Sequence, residues 1–349
     1  MRILNIDLTA LVPAFTALGH EVLCVGANGD SDLVVTHPRN AVSVYKQVCA
    51  AGFVPDLVFW CDSSNLPYLP GIETLPCATA FYSIDTYCHV WHFSFANAFD
   101  VVFTAQKDHL ELFPFRTVPT HWLPLFAPGG EPVSGPEAFA VRDIPVAFVG
   151  TRVHPNNPDR EPFLRNFKAA HPLFIYSGPY QDIFARSRIV LNQTACSELN
   201  FRCFEAMASG AGLLMEHCAH GMSELFHPGE NILPLYRRNN WQEAASIAAS
   251  ALADPVRLAE LAFAGQELVL RHHTAVNRAR TVLDIMEPCI REQGFHERLA
   301  TIKRRREFLA VAYAMLGQDL LGRLDQAYAE YYFNASAMLT PGTGPGNAA

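Results

Sequence analysis

Long apolar runs are missing from this chain. Nowhere in its 349 residues is there a stretch near the roughly 20 apolar positions that a membrane-spanning helix requires. The opening MRILNIDLTALVPAF is broken by Asp7 and Pro13 and no small-residue cleavage site follows, so no secretion leader is expected. Cysteine-pairing signals are missing as well: the nine cysteines are scattered, odd in number and free of any C-x-x-C spacing. That pattern excludes a disulfide framework and a cysteine-held zinc, and it predicts reduced thiols in a cytoplasmic protein. Basic charge is scarce, with 26 Lys and Arg against 34 Asp and Glu and a net charge of −8. A broad nucleic-acid surface is thereby excluded, while a local basic pocket is not. The turn after Ile6 reads Asp-Leu-Thr-Ala where a dinucleotide fold would place G-x-G-x-x-G, so no nicotinamide or flavin cofactor is expected.

What is present is a globular composition, 50% hydrophobic, long enough for two domains with a core each. Strand-length apolar runs at 2–8, 21–25, 55–61, 78–83 and 99–105 alternate with helical stretches at 9–18 and 40–51. Residues 127–136 hold three prolines and three glycines, a linker composition. The expected organisation is a Rossmann-like domain over 1–126, a linker over 127–143 and a second Rossmann-like domain over 144–291. Within the second, strands are expected at 144–149, 173–176, 188–192 and 231–236, with helices at 160–169, 241–253, 256–271 and 273–290. Helices follow over 292–338, where Lys303-Arg-Arg-Arg306 reads as a solvated face, and 339–349 is a loose tail.

The stretch that organises the second half is Leu191 to Glu216, read as strand end, polar loop, helix, glycine stop and strand. The loop 193–200 ends at Asn200 and feeds the helix FRCFEAMAS, whose free N–H groups and positive dipole end suit a phosphate. Arg202 in its first turn can grip phosphate oxygens in a bidentate way. Glu205, a turn further on, can reach a pair of sugar hydroxyls.

The run Asn200-Phe-Arg-Cys-Phe-Glu205-Ala-Met-Ala-Ser-Gly-Ala-Gly-Leu-Leu214 resembles the core motif of the CgeB-like (spore-maturation-type) glycosyltransferases. Glu224-Leu-Phe-His-Pro-Gly-Glu-Asn231, Asp254-Pro255, Ala264-Gly265, His273-Thr274 and Arg278 continue that resemblance in order, over about 145–283. The resemblance implies the GT-B architecture: α/β, two facing Rossmann-like domains, here with a C-terminal helical extension expected to cross back to the first. It implies a nucleotide-diphosphate sugar as donor, and Glu205 as the ribose-binding carboxylate. It also implies a contact of Gly150-Thr-Arg152 with the donor phosphates. In related retaining enzymes seven residues lie between the two glutamates; here only six lie between Glu198, the candidate sugar contact, and Glu205.

In the first half, Asp62, Asp85, His89 and His92 fall just beyond expected strand ends, where open α/β sheets collect ligands. A carboxylate and two imidazoles at 85, 89 and 92 suit general acid–base work or sugar positioning. They equally suit a strand cap. No D-x-D pair is read at a strand end, so the donor diphosphate is expected to be neutralised without a metal. The expected reaction is sugar transfer to a hydroxyl or other nucleophile, with retention implied by the resemblance; the alternative is a non-catalytic nucleotide-sugar-binding or scaffold protein. The acceptor is unspecified, whether protein, glycan or small molecule.

Overall fold

The computed structural model describes residues 1–340 apart from 28, 114–117, 130–135, 154–155 and 322–325. Most of the Pro/Gly-rich linker composition and nearly all of the expected tail lie outside the described residues. Two compact units emerge: Met1–Leu123 with Ala279–Ala349, and Pro124–Arg278. The first division precedes the segment expected as linker. The second falls inside the helix Ala275–Arg291, and the helices after it count with the first unit.

Unit 1 is built on a parallel sheet of seven strands: β1 (Arg2–Asp7), β2 (Glu21–Gly26), β3 (Leu33–Val34), β4 (Leu57–Cys61), β5 (Ala78–Ser83), β6 (Val101–Thr104) and β7 (Thr120–Trp122). Their spatial order is β3-β2-β1-β4-β5-β6-β7, with Asn5 in register with Phe59 and Phe59 with Ala80. The central strands are covered on both faces, which is why β4 reads as the unbroken apolar run LVFWC. Side chains alternate across it. Val58 and Trp60 join a core with Phe81, Phe95 and Phe99, while Phe59 meets the ring of Phe15 edge-on at 5.5 Å. The short strands β3 and β7 were not expected from sequence; two or three residues are too few for a period to show.

The helices Ile302–Leu320 and Gln326–Leu339 complete the same core through Leu309, Tyr313, Leu316 and Tyr332. They lie in close contact: Ser336 Oγ donates to Ala310 O at 2.7 Å, and Tyr313 stacks on Tyr332 at 6.2 Å. A Cβ on Gly317 would come within 2.9 Å of the Phe333 ring, so the approach of these helices requires glycine there.

What locks this extension onto the sheet is arginine. Arg298 is fully buried. Its Nε donates to Asp100 Oδ1 at 2.9 Å, and its other nitrogens to the carbonyls of Ile72, Leu75 and Cys77 at 2.8–3.0 Å. Within the run expected as a solvated face, Arg305 is buried and donates to Asn97 O and Phe99 O, and Arg306 pairs with Glu73 at 3.2 Å. Those two side chains turn inward because the ends of the neighbouring segments leave carbonyls and a buried carboxylate to satisfy.

Unit 2 carries four parallel strands: β8 (Ile144–Val149), β9 (Phe174–Tyr176), β10 (Ser187–Asn192) and β11 (Gly212–Met215), in the order β11-β10-β8-β9. Helices Arg160–Ala170, Trp241–Ala253 and Pro255–His272 bury its core around Phe148, Phe163, Phe167 and Tyr236. The strand expected at 231–236 does not form. Leu233 and Tyr236 donate to Leu213 O and Met215 O beside β11, but Pro234 between them has no N–H to extend a ladder, and only isolated bridges result. No helix among the described residues is long and apolar enough to cross a membrane.

Replacing Arg298 with Met should leave Asp100 Oδ1 and three carbonyls in the core without their donor, at a cost of about 3–5 kcal/mol. Arg304→Ala, at an exposed position, should stay within roughly 0.5 kcal/mol of the parent. Urea titration of the three proteins checks this; equal midpoints would refute it.

Candidate active site

In unit 2, β8 has β9 on one side and β10 on the other, so the chain reverses direction across the sheet there. The carboxyl ends of β8 and β10 therefore border the crevice where open α/β sheets bind ligands. Val149 closes β8, with Gly150 and Arg152 beyond it; Asn192 closes β10, with the loop 193–200 beyond it.

Arg202, from the first turn of the helix Phe201–Ala208, reaches back to both ends. Its Nε donates to Val149 O and its Nη1 to Asn192 Oδ1, each at 2.8 Å, and the guanidinium lies 4.8 Å from the Phe148 ring centre. Burial, with the charge of Arg160 adding to it, lowers its pKa to about 10, so it stays cationic. Gly150 sits at φ +150, and a Cβ there would collide with the Arg202 Nη2. Asn200 stands at the helix N-cap without capping it; its amide exchanges bonds with Asn192 at 3.1 and 3.3 Å.

Glu198 turns inward. It is 4% exposed, and its carboxylate accepts the Ala195 and Cys196 N–H groups, closing the loop on itself. Arg152 does the opposite: it is exposed and pairs with Glu161 at 3.0 Å. Arg160, the other arginine near that strand end, is buried, donating to Gln193 Oε1, Gln193 O and Thr151 O at 2.9–3.1 Å. It ties the two strand-end loops together.

Glu205 is half-buried beside Arg202. Burial pushes its carboxyl up to about 7, against the pull of Arg202 and of a hydrogen bond with the Tyr180 hydroxyl. Tyr180 follows Ser177-Gly-Pro at the end of β9, and nothing in the sequence singles it out. Two further groups went unread. Glu216, fully buried at the end of β11, accepts Thr194 N at 3.1 Å and the Thr194 hydroxyl and lies 3.5 Å from Arg238. Arg238 donates in turn to Ser197 and to Ala195 O. A charged residue at the close of a strand was the available signal for Glu216.

In unit 1 the corresponding reversal lies between β1 and β4, whose ends carry Asp7 and Asp62. Asp62 is 3% exposed and works as a hub: Oδ1 accepts Ser64 N at 2.8 Å, and Oδ2 accepts Asp85 N at 2.8 Å and Ile84 N at 3.1 Å. Asp85 accepts the Ser64 hydroxyl and, at 3.1 Å, the Tyr87 hydroxyl, and burial raises its pKa. His92 has no exposed surface; its Nδ1 meets Ser83 Oγ at 2.9 Å and its Nε2 lies 3.9 Å from Asp62. Burial drives its pKa well down, so the ring is neutral. The His89 ring lies 5.3 Å from it and is half-buried. The residues expected at this cluster are thus together, but only Asp85 and His89 remain open to a ligand. Asp7 joins them, at φ +75 and held by Asn65 at 3.3 Å, a residue the sequence offered only as a break in the opening run.

The chain does contain one Asp-x-Asp, Asp30-Ser-Asp32, in the turn between β2 and β3, where none was read. Asp32 accepts the Cys24 N–H at 2.8 Å, a contact that holds the turn. Among the described residues no group of three or more His, Cys, Asp or Glu is placed to hold a metal ion.

Residues 138–284 match the family described as glycosyl transferase-like. Among solved structures the chain is similar to HepE of Anabaena in complex with UDP, at 13% identity and a TM-score of 0.59, covering 82% of this chain and 100% of that one. It is also similar to a sucrose-phosphate synthase from Thermosynechococcus elongatus, at 11% identity and a TM-score of 0.61, covering 84% and 100%. A glycosyltransferase from Rickettsia africae aligns at 10% identity and a TM-score of 0.59, covering 82% and 98%. No curated protein matches significantly. The fold is that of the GT-B glycosyltransferases. The family match contains every donor-side residue from Gly150 to Arg238 and none of Asp62, Asp85, His89 or His92.

Gly150→Ala tests how closely the strand end and Arg202 are fitted. The left-handed backbone and the collision together should lower the stability of unit 2 by about 1–3 kcal/mol. A thermal melt indistinguishable from the parent would show that Arg202 moves aside freely.

Proposed function

We propose that this protein transfers a sugar from a nucleotide-diphosphate sugar to an acceptor hydroxyl or other nucleophile, as a member of the CgeB-like group of GT-B enzymes, in a cytoplasmic setting. The observation that carries the proposal is the pairing of Arg202 and Glu205 one helical turn apart at the β8–β10 strand ends, inside the segment that matches the glycosyl transferase-like family. Complexes of the similar HepE with UDP and with UDP-glucose support a nucleotide-sugar as the donor class.

On this reading Glu205 accepts the ribose hydroxyls, with Tyr180 orienting its carboxylate. Arg202 holds both strand ends at the crevice and adds positive charge beside the diphosphate, with Arg160 behind it. The resemblance suggests retention and neutralisation of the leaving diphosphate without a metal; in the Asp30-Ser-Asp32 turn, Asp32 is engaged with the Cys24 N–H. Catalysis is then positioning plus electrostatic stabilisation by preorganised donors. Glu198, closed on its own loop, has no direct sugar contact in this arrangement; it shapes the loop instead. Arg152 reaches a donor only by leaving Glu161. In unit 1, Asp85 and His89 act on the transferring sugar or the acceptor, and Asp62 and His92 position them.

The donor carboxylate gives a pH signature. With its carboxyl near 7 in the donor-free protein, Glu205 is increasingly protonated as pH falls below that value, and a protonated carboxyl accepts fewer hydroxyls. UDP-glucose should therefore bind more tightly as pH rises from 6 to 8, levelling above about 7. Glu205→Gln should weaken binding by roughly 1–3 kcal/mol and flatten the profile. Calorimetric titration across pH checks both; an unchanged affinity in the variant would remove Glu205 from the donor site.

Enzyme and binding protein are separated by turnover. Slow hydrolysis of nucleotide-sugars is expected without acceptor and in the presence of EDTA. Asp85→Ala or His89→Ala should lower it by about 10²-fold per folded molecule while leaving affinity for the bare nucleotide intact. Loss of turnover on chelation, with recovery on adding Mg²⁺ or Mn²⁺, would overturn the metal-free mechanism. Full turnover in both variants would move the chemistry of unit 1 elsewhere.

A further inference from the structure

Unit 1 has a second concavity, at the other end of its sheet from Asp62 and Asp85. It opens where β6 and β7 begin, bounded by Asp100 and Pro119 on the sheet side. The helices Ala275–Arg291, Phe295–Ala300 and Ile302–Leu320 wall it on the other, and its volume is about 620 Å³. That size lies within the range of small-molecule sites.

Its charges do not balance internally. Arg298 is matched to Asp100, whose second oxygen is already held by Thr79. Arg305 is 6% exposed and donates only to neutral acceptors: Thr301 Oγ1 at 2.9 Å, Asn97 O at 3.1 Å and Phe99 O at 2.8 Å. No carboxylate of the described residues forms an ion pair with it. Arg304 beside it is exposed and also forms no ion pair among the described residues. Glu297 is the one lining carboxylate left over. Asp100 and Glu297 act on Arg305 only from beyond ion-pair distance. A buried guanidinium with no carboxylate in contact is costly, and its planar fork matches a carboxylate or phosphate. Ile285 and Phe308 supply apolar surface to the same lining, Phe308 one helical turn beyond Arg304.

We propose that this cavity is a second binding site, distinct from the donor crevice, for a small organic oxyanion with an apolar body. Arg305 and Arg304 take the anionic group, and the apolar surface of Ile285 and Phe308 takes the body. Because the cavity lies between the sheet and the helices that cover it, an occupant joins the C-terminal extension to the sheet and stabilises that packing by mass action.

Phenyl phosphate and inorganic phosphate serve as probes on the full chain, by calorimetry and thermal melting. Phenyl phosphate should bind and raise the melting temperature. Arg304→Glu, which reverses an exposed charge without touching the core, should weaken it by at least about 10-fold, as loss of a charge-assisted contact does. Glu205→Gln should leave it unchanged, and saturating UDP-glucose should not compete. Absence of binding to the parent, equal binding to Arg304→Glu, or displacement by UDP-glucose would each overturn the site. Inorganic phosphate binding as tightly as phenyl phosphate would overturn the apolar half of the proposal. Failure of UDP-glucose to bind at all counts against the donor reading and leaves this one standing on the two arginine and phosphate comparisons.

Discussion

Buried guanidinium groups donating to backbone carbonyls hold this chain together at its irregular points. In an open parallel sheet the strand ends and the turns beyond them leave carbonyl oxygens with no ladder partner, and burying them unpaired is costly. Arginine answers with five donors in a plane. Arg298 collects the carbonyls of Ile72, Leu75 and Cys77, Arg305 those of Asn97 and Phe99. Arg142 takes those of Phe184, Ser187 and Ser209, and Arg278 those of Pro124, Leu125 and His272. Arg202 and Arg160 do the same at the candidate donor crevice. Burial lowers the pKa of Arg142 and Arg202 to about 10, still far enough above neutrality for each to remain a cation.

This use of arginine shapes the chemistry available. A guanidinium bound to Val149 O and Asn192 is a fixed charge and a spacer, not a mobile arm searching for phosphate. Preorganisation of that kind suits electrostatic stabilisation, because no reorganisation is needed when charge develops. The carboxylates divide in the same way. Asp62 and Glu198 accept loop N–H groups and set the backbone, whereas Asp85 and Glu205 stay partly open, with burial raising the pKa of both. Each strand-end crevice thus has an inner carboxylate that sets the loop backbone and an outer one that stays partly open.

Much of the framework was legible beforehand. The strands 78–83 and 144–149 and the helix after Asn200 lie where apolar runs, glycine stops and helix formers put them. Glu205 stood out because its position relative to the polar loop and Arg202 is set by one helix. Tyr180, Glu216 and Asp7 did not stand out: each reaches the crevice of its own unit from a strand end other than those the motifs mark, and strand order is not written in any local pattern. The region 231–236 misled in the other direction, since an apolar run of strand length cannot announce that Pro234 interrupts its pairing.

The sequence by itself determined the alternation of strand and helix, the absence of membrane-spanning and disulfide signals, and the helix that carries Arg202 and Glu205. These depend on near neighbours, through periodicity, propensity and turn chemistry, and neighbours in sequence are always present. Tertiary structure alone decided which charged groups face inward. Arg305 turned from an expected solvated face into a core contact and Arg306 onto the buried Glu73, Arg152 went to the surface, and His92 was sealed away from any ligand. The fate of a charge rests on whether carbonyls, carboxylates or water lie within about 3 Å of it after folding. Those partners come from residues up to hundreds of positions away, brought close only by the order of the strands.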